Sequence, residues 1–318
     1  MPFAPFVPLR VFSSYTMLEG AFEPKAMAKA AKASGFPAMA VCDRNGLYAA
    51  MAFSDACQST GVQPIIASLV SFARPGREQD GPIDWLALYA QDDVGYGNLC
   101  QIVSDAHLTP EAGREPHVTL AMLEGRTEGL LCLSGAGEGA LARLIAEGQQ
   151  SEAEAYADRL QVLFPDRLYI ELSRRGDAIE EAAEEGLIAL AMARHLPLVA
   201  SNTCCFAERD FHPAHDALLC IAQSAYIESA DRRKSSPEAW LKSAELMEDA
   251  FSDVPEALAN TLVVAQRCAV RAPQRKPILP SIAGDREGEA TQLRDDAHAG
   301  LIMRLNKHLR TEGEQELD

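Results

Sequence analysis

No stretch of about 18 uninterrupted apolar residues occurs in this 318-residue chain, so nothing in it reads as a membrane-spanning helix. The opening MPFAPFVPLR lacks the basic-then-apolar layout of a secretory signal, so a cytoplasmic location is expected. Positive charge is also short: 29 Lys and Arg face 46 Asp and Glu, a formal charge of −17. Nucleic-acid affinity comes largely from cations that neutralise phosphates, so these residues alone are not expected to grip DNA. No C-x-x-C pair is present. The eight cysteines, Cys42, Cys57, Cys100, Cys132, Cys204, Cys205, Cys220 and Cys268, are scattered, most of them in apolar runs such as AVCD and LLCLSG. That is the pattern of buried reduced thiols, and the adjacent Cys204 and Cys205 cannot easily enter one tetrahedral zinc site together. The G-x-x-x-x-G-K-S/T spacing of a phosphate loop is missing, so GAGEGA at 135–140 is not read as a nucleotide site. Neither an internal repeat nor a low-complexity tract is found.

What is present is an alternation of short apolar runs with longer segments of helical period. Strands are expected at Val7–Val11, Ala38–Cys42, Pro64–Phe72, Trp85–Ala90, Gly129–Leu133, Arg167–Leu172 and Pro197–Ala200. Helices are expected at Glu23–Ser34, Leu47–Ser59, Gly95–Ala106, Gly139–Glu147, Ser151–Leu163 and Asp177–Arg194, and then at His212–Gln223, Ser243–Phe251 and Val254–Cys268. Strands separated by helices imply parallel pairs with right-handed crossovers, and about seven of them imply a barrel-like α/β fold. The acidic run Glu180–Glu185 reads as a solvated helix face. Residues 1–270 form the main domain in this reading. Pro273, Pro277, Pro280 and Gly284 make 271–284 a linker, and 285–318 starts a charged helical stretch with nothing left to pack against. Such an ending suggests truncation of a longer protein.

FVPLRVFSSYTMLEGA, AVCDRNGLYAAMAFSDACQSTGVQPIIAS, YAQDDVGYGNLCQIVSDAH, GLLCLSG, FPDRLYIEL, LPLVASN, AHDALLCIA, KSAELMEDAFSDVPEALANTLVVAQRC and RKPILP follow one another between Phe6 and Pro280. No single block is diagnostic, but the ordered set resembles the PHP-type domain of bacterial replicative DNA polymerase III α subunits. LRDDAHAGLIMRL resembles the helix that leads from that domain into the polymerase core. The resemblance implies a distorted seven-stranded (β/α) barrel, the PHP fold, with a helical C-terminal extension. In active members of that family clustered His, Asp, Glu and Cys side chains hold about three metal ions, which generate hydroxide and neutralise phosphate charge.

Position by position, this chain departs from that ligand set. Arg10 and Phe12 stand where His-x-His is expected, with Pro8 where a further histidine is common. Asp43 is retained, followed by Arg44 in place of a frequent histidine. Leu69 replaces an acidic ligand, Trp85 a histidine and Ala136 a cysteine. Arg174 and Arg175 occupy a turn that can carry histidine. Thr203 and Cys205 stand in for the Asp and His of a T-N-D-x-H segment. One retained carboxylate cannot hold a multinuclear cluster, and an arginine at 10 or 44 puts positive charge where cations would sit. The pocket is therefore read as metal-free, with a guanidinium beside Asp43 expected to pair with it.

Some residues keep two readings. His212 and His215 are either a ligand pair or helix packing and capping groups. Glu171 is a pocket remnant or a simple hydrogen-bond acceptor, and Cys205 a soft ligand or a buried thiol. The functional expectation is an inactive scaffold that docks a separate proofreading exonuclease subunit and other replisome subunits. A polymerase core outside these residues would supply Mg²⁺ chemistry and DNA contact; no cofactor and no membrane are expected for this part. The alternatives are residual metal-dependent 3′–5′ exonuclease or phosphoesterase chemistry on Asp43, Glu171, Cys205 and His215, with Asp43, Glu171 and His215 as fallback ligands, and a free-standing phosphatase.

Overall fold

A computed structural model describes residues 3–78, 81–110, 113–274 and 280–312. The chain forms two compact units, Met1–Pro273 and Gln274–Asp318. In the first unit the strands are β1 (Ala38–Arg44), β2 (Gln63–Ala73), β3 (Ile83–Ala90), β4 (Leu130–Leu133), β5 (Leu168–Ser173) and β6 (Leu198–Ser201). They lie side by side in sequence order as one curled sheet. The helices are α1 (Pro24–Ala33), α2 (Ala50–Thr60), α3 (Asp93–Leu108), α4 (Ala140–Ala146), α5 (Gln150–Leu163), α6 (Ala178–Arg194), α7 (His212–Gln223), α8 (Ala244–Ala250) and α9 (Pro255–Arg267). In the second unit α10 (Arg286–Glu312) has no buried residue among those described.

Two expectations need correction. Among the described residues six strands form, not seven, because Val7–Val11 is extended without becoming a regular strand. Pro8 has no N–H to donate to a ladder. The segment nevertheless bonds on both sides: Ala40 N and Cys42 N donate to Pro8 O and Val11 O (both 2.9 Å), while Cys204 N donates to Arg10 O (2.8 Å). The sheet is also mixed. β1–β2, β4–β5 and β5–β6 are parallel, whereas β3 runs antiparallel to both neighbours. The described residues between β2 and β3 hold no helix, so these antiparallel neighbours follow one another as a hairpin pair. Residues 275–279 of the RKPILP block, with the linker's Pro277, lie outside the described residues.

Both faces of the sheet are buried, and the two-residue period sorts each strand between them. Ala38, Ala40, Cys42, Ile65, Ala67 and Leu69 point inward with Tyr89 and Leu131. Met39, Val41, Ile66 and Val70 pack outward against the helices. α9 lies across the strands' N-terminal ends: Asn260 Nδ2 donates to Leu198 O (2.7 Å), Val7 N to Thr261 Oγ1 (3.1 Å), and Gln63 Nε2 to Ala265 O (2.6 Å). One end of the curl is thereby closed by protein. The loops at the C-terminal ends of β1, β4, β5 and β6 gather at the other end.

Candidate functional site

An alternating row of charges occupies that second end. Arg10, only 1% exposed, sends Nη1 to Glu171 at 3.3 Å and Nη2 to Glu138 at 2.7 Å. Arg44 Nη2 meets the other oxygen of Glu138 at 2.6 Å, and Arg44 grips Glu19 with Nε (2.7 Å) and Nη2 (2.9 Å). Arg233 contacts Glu19 in turn. Along Glu171, Arg10, Glu138, Arg44, Glu19 and Arg233 every carboxylate lies beside a guanidinium. Short charge-assisted bonds of this kind are the strong class of hydrogen bond.

The residues that stand at expected ligand positions build the walls around this row. The Arg44 guanidinium lies 5.0 Å from the Phe12 ring centre and 4.6 Å from that of Trp85. Two aromatic faces thus hold a cation where histidines were expected, an attraction that strengthens when the cation is desolvated. Leu69 is fully buried in the inner apolar core. Glu138 reaches Arg10 from the turn after β4, which Gly135 makes possible: its φ is +91°, and a Cβ there would lie 2.0 Å from Trp85 O. Ala136 sits in this turn too, buried and without a side-chain donor to offer a metal.

Electrostatics follow the pairing. Burial opposes ionisation of Glu138, yet the Arg44 and Arg10 guanidinium groups outweigh it and hold the carboxyl well below the usual carboxylate range. Glu19 is treated alike: burial acts upward, and Arg44 and Arg233 bring it down. Burial also works against the charges of Arg10 and Arg44, but the carboxylates of Glu171 and Glu138 more than offset it at Arg10, as Glu138 and Glu19 do at Arg44.

Asp43 is not part of the row, which corrects the expected Asp43–guanidinium pair. Its carboxylate accepts from Ser13 N (2.7 Å), Ser13 Oγ (2.8 Å) and Thr16 Oγ1 (2.8 Å). Burial lifts it above its ordinary range despite these donors. Asp43 holds the Ser13–Thr16 loop rather than a cation. Asn would accept from Ser13 N and Thr16 through its oxygen and donate to Ser13 Oγ through its amide. Asp43→Asn is therefore expected to stay within about 1 kcal/mol of the parent at pH 7, and Asp43→Ala to lose about 1–3 kcal/mol. A carboxyl raised in the folded state loses its stabilising effect as pH rises through its folded value. Asn should gain on Asp as pH rises above about pH 4, as read from urea midpoints.

The remaining predicted residues are engaged elsewhere. His215 Nε2 lies 2.6 Å from Glu19 O and its Nδ1 2.6 Å from Ser235 Oγ. A carbonyl only accepts, so Nε2 carries the proton and Nδ1 accepts from the hydroxyl. Burial lowers this histidine's pKa, consistent with a neutral clamp between the 13–20 loop and the Ser235 loop. His212 bonds to the carbonyl of the same residue, Ser235 O (3.1 Å), so both histidines serve as hydrogen-bonding groups on one loop. The Cys205 thiol is pushed up to about 12, chiefly by burial, and is not a thiolate at neutral pH. Glu171 accepts from Gly135 N as well as Arg10. Arg174 pairs with Glu184 and Asp253 and lies over Phe251, tying α6 to α8. Arg175 binds Glu180, which is buried rather than part of a solvated face.

A cavity of about 390 Å³ opens beside the row, bounded by Glu19, Arg44, Glu138, Arg175, His215 and Arg233, with Thr203 and Cys205 also facing it. Among the described residues no three His, Cys, Asp or Glu side chains converge as a metal site would require. The donors present do not suit the multinuclear cluster of the resemblance. Asp43 is saturated by hydroxyl and amide donors, Glu19, Glu138 and Glu171 are held by arginines, and both His215 nitrogens are engaged. Glu19, Glu138, Arg233 and Ser235 were not foreseen from the sequence. Glu138 lay in the glycine-rich GAGEGA, where a single acid gives no spacing signal.

Residues 8–175, more than half of the chain, match the PHP domain family, and the chain belongs to it. The likeness then becomes more specific. DNA polymerase III subunit alpha of Caulobacter vibrioides is 41% identical over 307 residues, covering 94% of this chain and 27% of that protein. The same subunit of Pseudomonas aeruginosa is 32% identical over 302 residues, covering 94% and 26%. The chain thus spans about a quarter of the length of these relatives. Among solved structures, an amidohydrolase from Chromobacterium violaceum superposes with a TM-score of 0.44 at 11% identity, covering 62% of this chain and 86% of that one.

Proposed function

We propose that this chain is a metal-free, catalytically silent PHP domain that serves as a structural scaffold in a replicative DNA polymerase III α subunit in the cytoplasm. The observation that carries the reading is the Glu171–Arg10–Glu138–Arg44–Glu19–Arg233 row. It supplies the pocket's charge balance from within the chain and leaves no free carboxylate set to collect cations. Arginines that neutralise buried carboxylates perform the electrostatic part of a metal's role without its ability to polarise water. The full-length polypeptide extends primers with Mg²⁺ through a core outside these residues, and DNA is held there rather than by this acidic domain. A separate proofreading exonuclease subunit docks on the domain, as the family resemblance implies.

The test is made on the full-length protein without other subunits. Primer extension with Mg²⁺ is expected, together with no degradation of 3′-terminated single strands in Mg²⁺, Mn²⁺ or Zn²⁺. Metal-dependent hydrolysis abolished by Asp43→Asn or Glu171→Gln, with primer extension intact, would establish the phosphoesterase alternative instead.

A further inference from the structure

Helix α7 keeps its polar residues on one side, beside part of its apolar set. His215, Leu219 and Cys220 are buried. The polar His212, Asp216 and Gln223 turn toward the following loop: His212 to Ser235 O at 3.1 Å, Asp216 to Arg232 at 2.6 Å, and Gln223 accepting from Arg233 N at 2.8 Å. At roughly 100° per residue, Ala214, Ala217, Leu218 and Ile221 fall together on the opposite face, with no charged side chain among them. Ala214 and Ala217 are exposed, Leu218 is half-buried and Ile221 is 67% exposed. Phe211 before the helix and Tyr226 after it are also exposed.

Single exposed aliphatic residues are ordinary, but a helix whose outward face is wholly aliphatic reverses the usual amphipathic pattern. The alanines let another backbone approach while Leu218 and Ile221 supply ridges, which suits helix-on-helix packing. At separable interfaces Ala is depleted and Leu is under-represented among the dominant residues, while Tyr, Trp and Arg are enriched. This face has the composition of a permanent intramolecular contact. The Caulobacter vibrioides relative, which matches 94% of the chain, carries 73% of its own length outside the matched part, ample polypeptide to provide a cover.

We infer that the Ala214–Ile221 face of α7 is covered by a helical segment of the same polypeptide lying outside these residues. The inference rests on the reading of the chain as part of a longer polymerase subunit. Its test places photoreactive benzoylphenylalanine at position 221 of the full-length protein and, as a control, at the exposed Gln150 of α5. Irradiation is expected to join position 221, but not 150, to peptides of the same polypeptide outside this sequence, with a yield independent of protein concentration. Cross-links only to a second copy, only to an added exonuclease subunit, or no more than from position 150 would overturn it. Primer extension by the same preparation separates the two failures: active polymerase without the intramolecular cross-link defeats this inference alone, and full-length protein unable to extend primers defeats the underlying reading.

Discussion

Replacing Arg10 with alanine is expected to destabilise the protein by about 3–5 kcal/mol, the range for removing one partner of a buried ion pair. Glu171 has no measurable exposure, and without Arg10 its carboxylate would keep Gly135 N as its remaining donor. Glu138 would retain Arg44 alone. Adding Glu171→Gln to Arg10→Ala removes the stranded charge and is expected to recover at least about 1 kcal/mol, since a buried charge without its partner costs more than the pair contributes. Urea midpoints of the parent, both single variants and the double variant close the cycle. A loss below about 1 kcal/mol for Arg10→Ala would show that the row is incidental to folding.

Glu138→Gln should lower stability at pH 7 by about 2–3 kcal/mol, less than Arg10→Ala because Glu138 is 24% exposed and solvent screens part of its pairing. The larger signature is in acid. Glu138 and Glu19 ionise more readily folded than unfolded, so their stabilisation is complete above the unfolded carboxylate range near about pH 4.3 and is lost as pH falls through their depressed folded values. Each adds a slope approaching about 1.4 kcal/mol per pH unit over that window. Asp43, shifted upward, changes its contribution with the opposite sign and above about pH 4, outside most of this window. Glu138→Gln is expected to flatten the acid limb by one proton's worth. Parallel limbs in parent and variant between about pH 2.5 and about pH 4.5 would contradict the shared role of Glu138.

How far the sequence reveals this arrangement varies by element. β1, β2 and β5 announce themselves because a strand buried on both faces is almost continuously apolar, and α6 because Asp177 caps its first turn by accepting from Ile179 N and Glu180 N. The reversal of β3 was readable from Arg-Pro-Gly at 74–76, a turn signal between two apolar runs, but the helix-and-strand rhythm elsewhere favoured a crossover. In the site, Arg10, Phe12, Arg44 and Trp85 could be singled out only as departures from a ligand pattern. Their new partnership was hidden because ion pairs need no fixed spacing: Arg10 and Glu138 are 128 positions apart, Arg44 and Glu138 94. Asp43 misled for a related reason. Ser13 and Thr16, close in space, satisfy its carboxylate before any arginine does.

The central claim, that an internal ion-pair row replaces metal in this PHP domain, is tested most directly by elemental analysis of the full-length protein. The protein would be incubated with Zn²⁺ or Mn²⁺ and cleared of free ion, and its melting temperature followed in parallel with that of Asp43→Asn and Glu171→Gln. A native-state ligand must raise apparent stability, so retention and melting report on one event. The account predicts no stoichiometric retention that either substitution removes, and no metal-induced rise in melting temperature. Stoichiometric ion lost in Asp43→Asn or Glu171→Gln, with a rise in melting temperature seen only in the parent, would contradict it.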